Sequence, residues 1–371
     1  MTQDVSKGEY AHFMQKEIFE QSDAAQHALS GLTSIDQLDA GFFGQKGNDI
    51  LPKTEGILIL ACGTSYHAGE LARYWLETMA QIPVTVELAN EFRYRKSAFR
   101  KNHLVVAISQ SGNTSDTVAA VEEAKNQGYE HLLAICNAED STLMKMADLK
   151  FYTNSGPEVG IASTKALIGQ MVGLFLLTLC FAKMRKTKEP EKLAKAFGNV
   201  GKLPETIAEV LKIADHVKPW ADYFKHKTNA LFIGRKFDYP IAMEGALKLK
   251  ETSYIHAEAS AAGEFRHGSM ALIDENMPTI ALVSKGELLK SMKTIIGEIT
   301  DKKGRVFVVA DEGSGIENTD LVSVIEVPRL CCMFVPFLHV IPLQLLAYYT
   351  TVAKGLDVDQ PRNLVKEVMA E

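Results

Sequence analysis

The sequence predicts an α/β fold of two tandem units, each a parallel, doubly wound sheet covered by helices. Short apolar segments alternate with segments of helical periodicity along most of the 371 residues, as helical crossovers between parallel strands require. The pattern of the first half recurs in the second half. A hydrophobic content of 46% is enough for two packed domains. We therefore expect a tandem duplication of one α/β unit.

The first unit reads as five strands with helices between most of them. Residues 9–30 predict an amphipathic helix, and residues 31–49 predict a loop-rich lead-in. A charged segment, residues 182–199, predicts an exposed helix pair that links the two units. Further helices are expected at about residues 66–80 and 163–185, and the strands are expected at GILILACGTS, IPVTVELANEF, HLVVAIS, HLLAICN and DLKFYTN.

The second unit repeats this order. Residues 229–251 parallel the segment GILILACGTSYHAGELARYWLE as strand, glycine turn and helix, and residues 278–311 parallel residues 104–137. The small polar turn recurs as well, with VSKGE in place of ISQSG, but the second copy has far fewer hydroxyls. Ligands of open α/β sheets lie beyond the carboxyl ends of the strands. This difference therefore predicts one ligand site and not two.

The segment SQSGNTSDT, residues 109–117, stands where a predicted strand passes into a predicted helix. It holds five hydroxyl side chains and one glycine in nine residues. A helix N-terminus offers unpaired N–H groups and partial positive charge, to which Ser109, Gln110, Ser111 and Thr114 add short donors. Because no Walker loop and no G-x-G-x-x-G after the first strand occurs, a small phosphorylated metabolite is favoured over a nucleotide. Helix capping and turn formation explain the same residues without a ligand.

Composition and charge argue against several classes of protein. The net charge of −6 and a pI of about 6.0, without a basic run, disfavour nucleic acid and acidic membranes as partners. Five cysteines form no CxxC pair, which indicates a reducing compartment. The polar start predicts no signal peptide, and the longest apolar run, residues 171–182, is shorter than the ~20 residues of a membrane span. We expect a soluble, cytoplasmic protein with that run in a buried helix.

Six segments, in order, resemble one known family. They are CGTSYHAG, SQSGNTSDT, EVGIASTKA, EGALKLKETSYIHAEASAAGEFRHGS, PLQLLAYY and DVDQPRNLVKEV. Together they are similar to the isomerase half of the glucosamine-6-phosphate synthases (glutamine:fructose-6-phosphate aminotransferases, isomerising), over essentially the whole chain. The resemblance implies two sugar isomerase (SIS) domains, each a three-layer αβα sandwich of flavodoxin-like topology. It implies a helical lead-in at 1–52, SIS domains at 53–200 and 201–355, and a C-terminal tail or lid at 356–371.

The resemblance also implies a reaction. In this family fructose 6-phosphate opens to its keto form, ammonia condenses at C2, and a proton moves from C1 to C2 to give glucosamine 6-phosphate, the first step towards UDP-N-acetylglucosamine. No cofactor is implied. The family's N-terminal glutaminase, which supplies the ammonia, has no counterpart in this sequence, and Met1 is read as an added initiator. We therefore expect an isolated module without glutaminase activity, which interconverts fructose 6-phosphate and glucose 6-phosphate.

Substrate-binding roles carry over by position in the matching segments. The resemblance implies one set of residues around the phosphate and another set around the sugar. The phosphate set is Ser65, Ser109, Gln110, Ser111 and Thr114, and the sugar set is Ser163, Ile161 and Val365.

Proton transfer is assigned by the resemblance to Glu251 and His267. Abstraction beside a carbonyl or imine needs a positioned base, which Glu251 supplies, with Lys248 protonating near C2 and Glu244 orienting Lys248. His267 is expected to open the sugar ring, since imidazole titrates near neutral pH. It is also expected to reach the site of the neighbouring subunit, which implies a homodimer. From the residues alone, a charged helix end, an i,i+3 ion pair and an ordinary loop histidine remain alternatives.

The C-terminal tail is expected to act as a lid. By resemblance, Lys366 contacts the open-chain sugar or forms an imine with it, which suits a lysine whose pKa is lowered by a dry pocket or a neighbouring cation. Arg362 and Gln360 are expected to hold the lid on the helices below, so that closure excludes water. Composition alone predicts a frayed, solvated end instead.

Other functions remain open. A sugar-phosphate sensor is expected to keep the serine turn but to lose the base and the tail lysine, and this chain shows no helix-turn-helix or basic segment. A deaminating aldose–ketose isomerase of amino sugars uses the same scaffold, although the ending DQPRNLVK favours the synthase. A metal is not expected, because no zinc-ligand spacing fits the four candidate ligands that lie close in sequence: His256, Glu258, Glu264 and His267.

Overall fold

Two five-stranded parallel sheets form the framework of the chain, whose computed structural model describes residues 6–366. The first sheet contains β1 (Gly56–Ala61), β2 (Val84–Leu88), β3 (His103–Ser109), β4 (His131–Cys136) and β5 (Leu149–Tyr152). The second sheet contains β6 (Asn229–Gly234), β7 (His256–Ala261), β8 (Thr279–Val283), β9 (Val306–Asp311) and β10 (Val322–Val327).

The two sheets share one topology. Their strand orders are β2-β1-β3-β4-β5 and β10-β9-β8-β6-β7, so both read 2-1-3-4-5 when each sheet is counted from its own first strand. Neighbouring strands pair in parallel throughout. This is the flavodoxin-like order. The predicted α/β class and the duplication of one unit are confirmed.

Fourteen α-helices lie within the described residues and cover the sheets. They are α1 (Phe13–Phe19), α2 (Gln21–Ala28), α3 (Gly47–Ile50), α4 (Gly63–Trp75), α5 (Ala89–Phe92), α6 (Ser115–Asn126), α7 (Thr142–Met146), α8 (Lys165–Met184), α9 (Pro190–Gly201), α10 (Leu203–Leu211), α11 (Ala214–Phe224), α12 (Asp238–Ser253), α13 (Leu289–Asp301) and α14 (Val335–Ala353).

Three boundaries differ from the sequence-based expectation. The helix predicted at 9–30 is two helices, because the backbone at Glu20 leaves the helical region with φ −82° and ψ 3°. The helix predicted at 66–80 begins at Gly63 and ends in a π-helical turn, Leu76–Ala80. Residues 182–199, predicted as an exposed helix pair, contain the end of α8 and most of α9, which is largely exposed, and α10 and α11 follow this segment.

The two longest helices form the centre of the molecule. Both α8, of 20 residues, and α14, of 19, are long and apolar enough to cross a membrane, but 89% of the apolar window of each is buried inside the chain. The prediction that residues 171–182 lie in a buried helix is confirmed. The helix is longer than this apolar run, because α8 extends over Lys165–Met184. Gly169 and Gly173 let α8 approach the first sheet, since an added Cβ at Gly173 lies 2.4 Å from the Phe151 ring.

The two domains meet along helices that also carry the site. Helix α12 of the second domain packs on α14 and on α4 of the first domain. Helix α4 begins directly after β1, at the carboxyl edge of the first sheet. Polar residues in the first turn of α4 therefore face the polar residues of α12 across the domain boundary.

Candidate active site

The hydroxyl-rich turn lies between β3 and α6, at the carboxyl edge of the first sheet. Oγ of Ser109, the last residue of β3, accepts a hydrogen bond from the Gly112 N–H at 2.9 Å and lies 2.9 Å from Oγ1 of Thr114. Position 112 requires glycine, because its φ is +67° and an added Cβ lies 2.1 Å from Oγ of Ser141. Ser109 is only 2% exposed. Its hydroxyl therefore shapes the turn from inside.

The turn opens into a cleft of about 420 Å³. Gln110 and Ser111 line this cleft, and Oγ of Ser111 accepts a hydrogen bond from the Asn113 N–H at 3.1 Å. Glu158 and Lys366 line the same cleft. The structure thus brings two of the predicted phosphate donors, Gln110 and Ser111, together with the predicted tail lysine, Lys366. Ser111 and Lys366 are far apart in the sequence. Hydroxyl, amide and ammonium donors on one cleft suit an anionic ligand.

Glu158 organises the loop between β5 and α8. Its Oε1 accepts hydrogen bonds from the backbone N–H groups of Thr164 at 2.8 Å and Ala166 at 3.2 Å, and its Oε2 accepts one from Oγ of Ser163 at 2.8 Å. Oε2 also lies 3.2 Å from Nζ of Lys366. Burial opposes ionisation of this carboxyl, but Lys366 and the hydrogen bonds outweigh burial and lower its pKa. Glu158 is therefore a buried carboxylate that anchors the tail lysine.

Residues 357–366 are held against the rest of the chain by polar contacts. The Asp359 carboxylate accepts hydrogen bonds from the N–H groups of Phe13 and Met14, the first residues of α1, at 2.9 Å each. The Arg362 guanidinium lies 4.2 Å from the centroid of the Tyr254 ring, and the Arg362 N–H donates to the Tyr254 hydroxyl at 2.7 Å. The frayed end that composition suggested is wrong for these residues.

Three further residues were predicted to contact the sugar or to support the lid: Ile161, Val365 and Gln360. The N–H of Ile161 donates to the backbone carbonyl of Asp359 at 3.2 Å, which places Ile161 beside the tail. Val365 is 64% exposed. Gln360 is also exposed, and its backbone N–H donates to Oδ1 of Asp357 at 3.1 Å. Residues 367–371 of the predicted lid lie outside the described residues.

Helix α12 carries a buried lysine between two carboxylates. Nζ of Lys248, which is 1% exposed, lies 2.6 Å from Oε2 of Glu251 and 3.6 Å from Oε1 of Glu244. Burial alone lowers the pKa of an ammonium, but Glu251 and Glu244, with a smaller contribution from Glu158, outweigh burial and raise the pKa of Lys248. Lys248 therefore remains a proton donor at neutral pH.

Glu244 joins the two domains. Its carboxylate, fully buried, accepts a hydrogen bond from Oγ1 of Thr64 at 3.0 Å and one from Nδ1 of His67 at 2.7 Å, both on α4. Burial opposes its ionisation, but Lys248 and His67 outweigh burial and lower its pKa. Ser65, a predicted phosphate contact, is the neighbour of Thr64 and is 8% exposed. Glu244 and Lys248 of α12 thus lie at the boundary with the first turn of α4, which also holds Ser65.

His267 lies apart from these groups. It ends a short 3₁₀ turn, Glu264–His267, after β7, and it is exposed. It does not line the cleft that holds Ser111 and Lys366. Within residues 6–366 no group of three or more His, Cys, Asp or Glu side chains is arranged to hold a metal ion.

Sequence reasoning missed three site residues. Glu158 and Glu17 were missed because a carboxylate in a loop or on a helix end gives no periodic signal of burial. His67 was missed because the helix predicted at about 66–80 excluded Thr64, so the two residues were not seen to share one helix face, although α4 holds both. Their shared acceptor, Glu244, is nearly two hundred residues away, and only the packing of α4 on α12 reveals it.

Glu17, on α1, gives the site a pH-dependent stability. Its Oε1 accepts hydrogen bonds from the N–H groups of Val159 at 2.5 Å and Gly160 at 3.2 Å. Burial and the nearby carboxylate of Glu158 raise its pKa from 4.5 to about 8, against smaller opposing effects of these two hydrogen bonds and of Lys366. The folded state therefore binds a proton that the unfolded state releases between these two values. Stability is present below pH ~4.5 and is lost as pH rises towards ~8.

We expect Glu17→Gln to flatten this dependence, because an amide resembles the protonated carboxyl and cannot ionise. The free energy of unfolding should fall less steeply between about pH 5 and pH 8 in the variant, by up to about 1.4 kcal/mol per pH unit. Urea unfolding of both proteins at several pH values measures the difference. Parallel pH profiles for the two proteins contradict the assignment.

A family model and curated relatives match this chain over most of its length. The model of the SIS domain family matches residues 50–179 and 223–354. The glutamine–fructose-6-phosphate aminotransferases (isomerizing) of Pseudomonas putida and Escherichia coli are 47% and 46% identical to the chain, each over 98% of it. The chain spans 60% of the length of these curated relatives.

Solved structures agree with this result. The C-terminal domain of glucosamine-fructose-6-phosphate aminotransferase from Francisella tularensis superposes with a TM-score of 0.92 at 39% identity, over 96% of this chain and 100% of that one. A glucosamine-6-phosphate deaminase from Thermotoga maritima, with a TM-score of 0.74 at 22% identity over 96% and 99% of the two chains, shares the fold. The resemblance found in the sequence is confirmed. The chain belongs to the SIS domain family and, within it, to the family of the C-terminal domain of glucosamine-fructose-6-phosphate aminotransferase.

Proposed function

We propose that this chain is a sugar-phosphate isomerase module that binds fructose 6-phosphate and moves a proton between its C1 and C2 atoms. The aminotransferases to which it is similar are named for fructose 6-phosphate and for isomerisation. One observation carries the proposal: Gln110, Ser111 and Lys366 line a single cleft, and α12 places Lys248 between the carboxylates of Glu251 and Glu244.

The phosphate group is proposed to lie against the turn at residues 109–114. Helix α6 begins immediately after this turn, so its free N–H groups and dipole favour the dianion. Gln110, Ser111 and Thr114 supply further donors, and Ser65 supplies one from the first turn of α4. These groups bind the end of the sugar that does not react. They therefore fix the position of C1 and C2 without taking part in proton transfer.

Glu251 is proposed as the base that carries the proton from C1 to C2. Its side chain is 23% exposed, and its Oε2 lies 2.6 Å from Nζ of Lys248. Lys248, whose pKa is raised, stays an ammonium and donates a proton or a hydrogen bond to the substituent at C2. Glu244 keeps Lys248 in place from the other side. A carboxylate and an ammonium side by side supply the base and the acid of an enolisation.

Lys366 is proposed to contact the open-chain sugar, or to form an imine with it, at the mouth of the cleft. Its amine is paired with Glu158 and also hydrogen-bonded to the Gly160 carbonyl. Attack on a carbonyl requires a neutral amine, so the Lys366 proton must first pass to another group, and Glu158 is the carboxylate in contact with it. Ser163 and Ile161, which contact Glu158 and the tail respectively, are proposed to line the sugar side.

His267 is proposed to open the sugar ring in the active site of a second subunit. This histidine is exposed and lies outside the cleft of its own chain. In a homodimer, His267 of each subunit can reach the active site of the other subunit.

We also propose a cytoplasmic location for the protein.

The complete aminotransferase reaction is proposed to require a longer protein. Because the chain spans 60% of its curated relatives, a glutaminase region that supplies ammonia is proposed for the full-length form. Within this chain we propose a lead-in at 1–52, SIS domains at 53–200 and 201–355, and a tail at 356–371. The proposed SIS bounds contain the matched segment 223–354 and all of the matched segment 50–179 except residues 50–52.

The function is tested by incubating the chain with fructose 6-phosphate, with and without ammonium chloride. We expect glucose 6-phosphate without ammonia and glucosamine 6-phosphate with it. Absence of both products contradicts the proposal, and binding without turnover points instead to a sugar-phosphate sensor. A rate with glucosamine 6-phosphate alone that exceeds the rate with fructose 6-phosphate plus ammonia indicates a deaminating isomerase.

The shared site predicts complementation between two inactive variants. In a dimer of one His267→Ala subunit and one Glu251→Gln subunit, one site has both native groups and the other has neither. Random mixing should restore about a quarter of the native activity, because half of the dimers are mixed and half of their sites are intact. Activity is measured after unfolding and refolding the two variants together. If mixing restores nothing although mixed dimers form, His267 serves its own subunit or neither.

A further inference from the structure

A second cavity lies at the carboxyl edge of the second sheet. Its volume is about 530 Å³, against about 420 Å³ for the cleft in the first domain. It is lined by residues 235–238, which follow β6, and residues 284–288, which follow β8. These two adjacent strands lead to opposite sides of the sheet, β6 towards β7 and β8 towards β9. This is the switch point at which open α/β sheets bind ligands.

Three cations without a carboxylate partner line this cavity. Within residues 6–366, no carboxylate lies within ion-pair distance of Arg235, Lys285 or Arg329. Nε of Arg235 is buried and has no hydrogen-bond partner. A fourth cation, Lys236, is paired with Glu287. Like charges gathered around one space repel each other, and an anion in that space removes the repulsion.

Both carboxylate oxygens of Asp238, an acidic side chain that lines the cavity, accept hydrogen bonds from other residues. Oδ1 of Asp238 accepts a hydrogen bond from Nδ1 of His339 at 3.0 Å, and its other oxygen accepts one from Oγ of Ser284. His339 also lies 3.2 Å from Asp311. Burial lowers the pKa of an imidazole, but Asp238 and Asp311 outweigh burial and raise the pKa of His339 to about 9. Asp238 and Asp311 share this one imidazolium, which leaves one net negative charge against the three cations.

This arrangement differs from that of the first domain. There, hydroxyl donors and a helix N-terminus surround the ligand position. Here the serine in the corresponding turn, Ser284, is engaged by Asp238, and arginine and lysine side chains take the place of the hydroxyls. The remaining wall is apolar, with Phe237, Met292 and Met333 among its residues. The two edges thus offer different chemistry to a ligand.

We propose that this cavity is a second ligand site, which binds a phosphorylated small molecule whose body is apolar or aromatic. The phosphate pairs with Arg235, Lys285 and Arg329, for which the planar guanidinium groups are suited. The apolar body packs on Phe237, Met292 and Met333. The cavity volume lies in the range of small-molecule sites. A hexose phosphate, with hydroxyls all round, matches the first cleft better than this one.

Cys332 provides a local readout, because it lines the cavity and is exposed. In a Cys331→Ser background, which removes the adjacent thiol, the rate at which iodoacetamide alkylates Cys332 is measured by peptide mass spectrometry. Phenyl phosphate, an anion with an aromatic body, is the probe. We expect it to slow alkylation at least about fivefold at saturation, at concentrations about tenfold below those that inorganic phosphate needs. Fructose 6-phosphate should leave the rate unchanged.

Matched variants separate this site from the first cleft. Arg235→Gln and Lys285→Gln should each raise the phenyl phosphate concentration for half-protection about tenfold, since a charge-assisted hydrogen bond is lost, while turnover of fructose 6-phosphate stays native. Ser111→Ala should weaken fructose 6-phosphate binding and leave Cys332 protection intact. The proposal is overturned if phenyl phosphate gives no protection, if Ser111→Ala abolishes protection, or if inorganic phosphate protects equally well.

Discussion

Replacing Glu251 with glutamine should reduce turnover of fructose 6-phosphate by about 10²- to 10⁴-fold, the contribution of a positioned base, while phosphate binding remains nearly native. The amide has the shape of the carboxylate but cannot accept the C1 proton. The phosphate donors lie on the first domain, and Glu251 lies on α12 of the second domain. The two effects are therefore separable. A dissociation constant near the native value with a large loss of kcat is the expected pattern.

Deuterium incorporation isolates the proton-transfer step. In D2O the native chain should introduce deuterium into the sugar during conversion, and Glu251→Gln should not do so at a comparable rate. Lys250→Gln is the matched control, because Lys250 is the exposed neighbour of Glu251 on the same helix. It should retain native turnover. Near-native turnover in Glu251→Gln removes this residue from its role.

The fold could be predicted from the sequence wherever strands are continuous apolar runs. Six strands are almost wholly buried on both faces, so their composition identifies them without reference to the rest of the chain; they are β1, β3, β4, β6, β8 and β9. Strand β7 was missed because its segment, HAEASA, is small and half polar. Helix α14 was missed because Pro342 lies inside it, and an interior proline normally signals the end of a helix.

The site could be predicted only where its residues are neighbours in sequence. The turn at residues 109–114 is local, and its hydroxyls and glycine are visible as a cluster. The contact between Glu158 and Lys366 joins residues 208 positions apart, and no local sequence pattern predicts it. That the chain has one ligand site stays a prediction, which was made from the number of hydroxyls in each turn. In the second domain the donors are long cations whose convergence depends on the loops after β6 and β8.

Removing Glu244 should have the largest effect on stability among the site residues. Glu244→Ala leaves Lys248 with one carboxylate partner in place of two and deprives Thr64 and His67 of their acceptor. Breaking a buried ion pair costs about 3–5 kcal/mol, and because Glu251 remains beside Lys248 we expect the lower end. Urea unfolding measures the loss. The matched control is Glu209→Ala, which breaks an exposed pair with Lys212 and should cost at most about 1 kcal/mol.

A double variant distinguishes stability from chemistry as the reason for these buried charges. In Glu244→Leu/Lys248→Met no unpaired ammonium is left in the interior, and apolar replacements of a buried ion pair are often neutral or stabilising. We expect the double variant to recover at least half of the stability lost in Glu244→Ala and to remain without turnover, because the acid beside Glu251 is gone. Recovery of stability without recovery of turnover means that the charges serve proton transfer. A double variant less stable than Glu244→Ala contradicts this interpretation and means that the charged network itself holds α12 against α4.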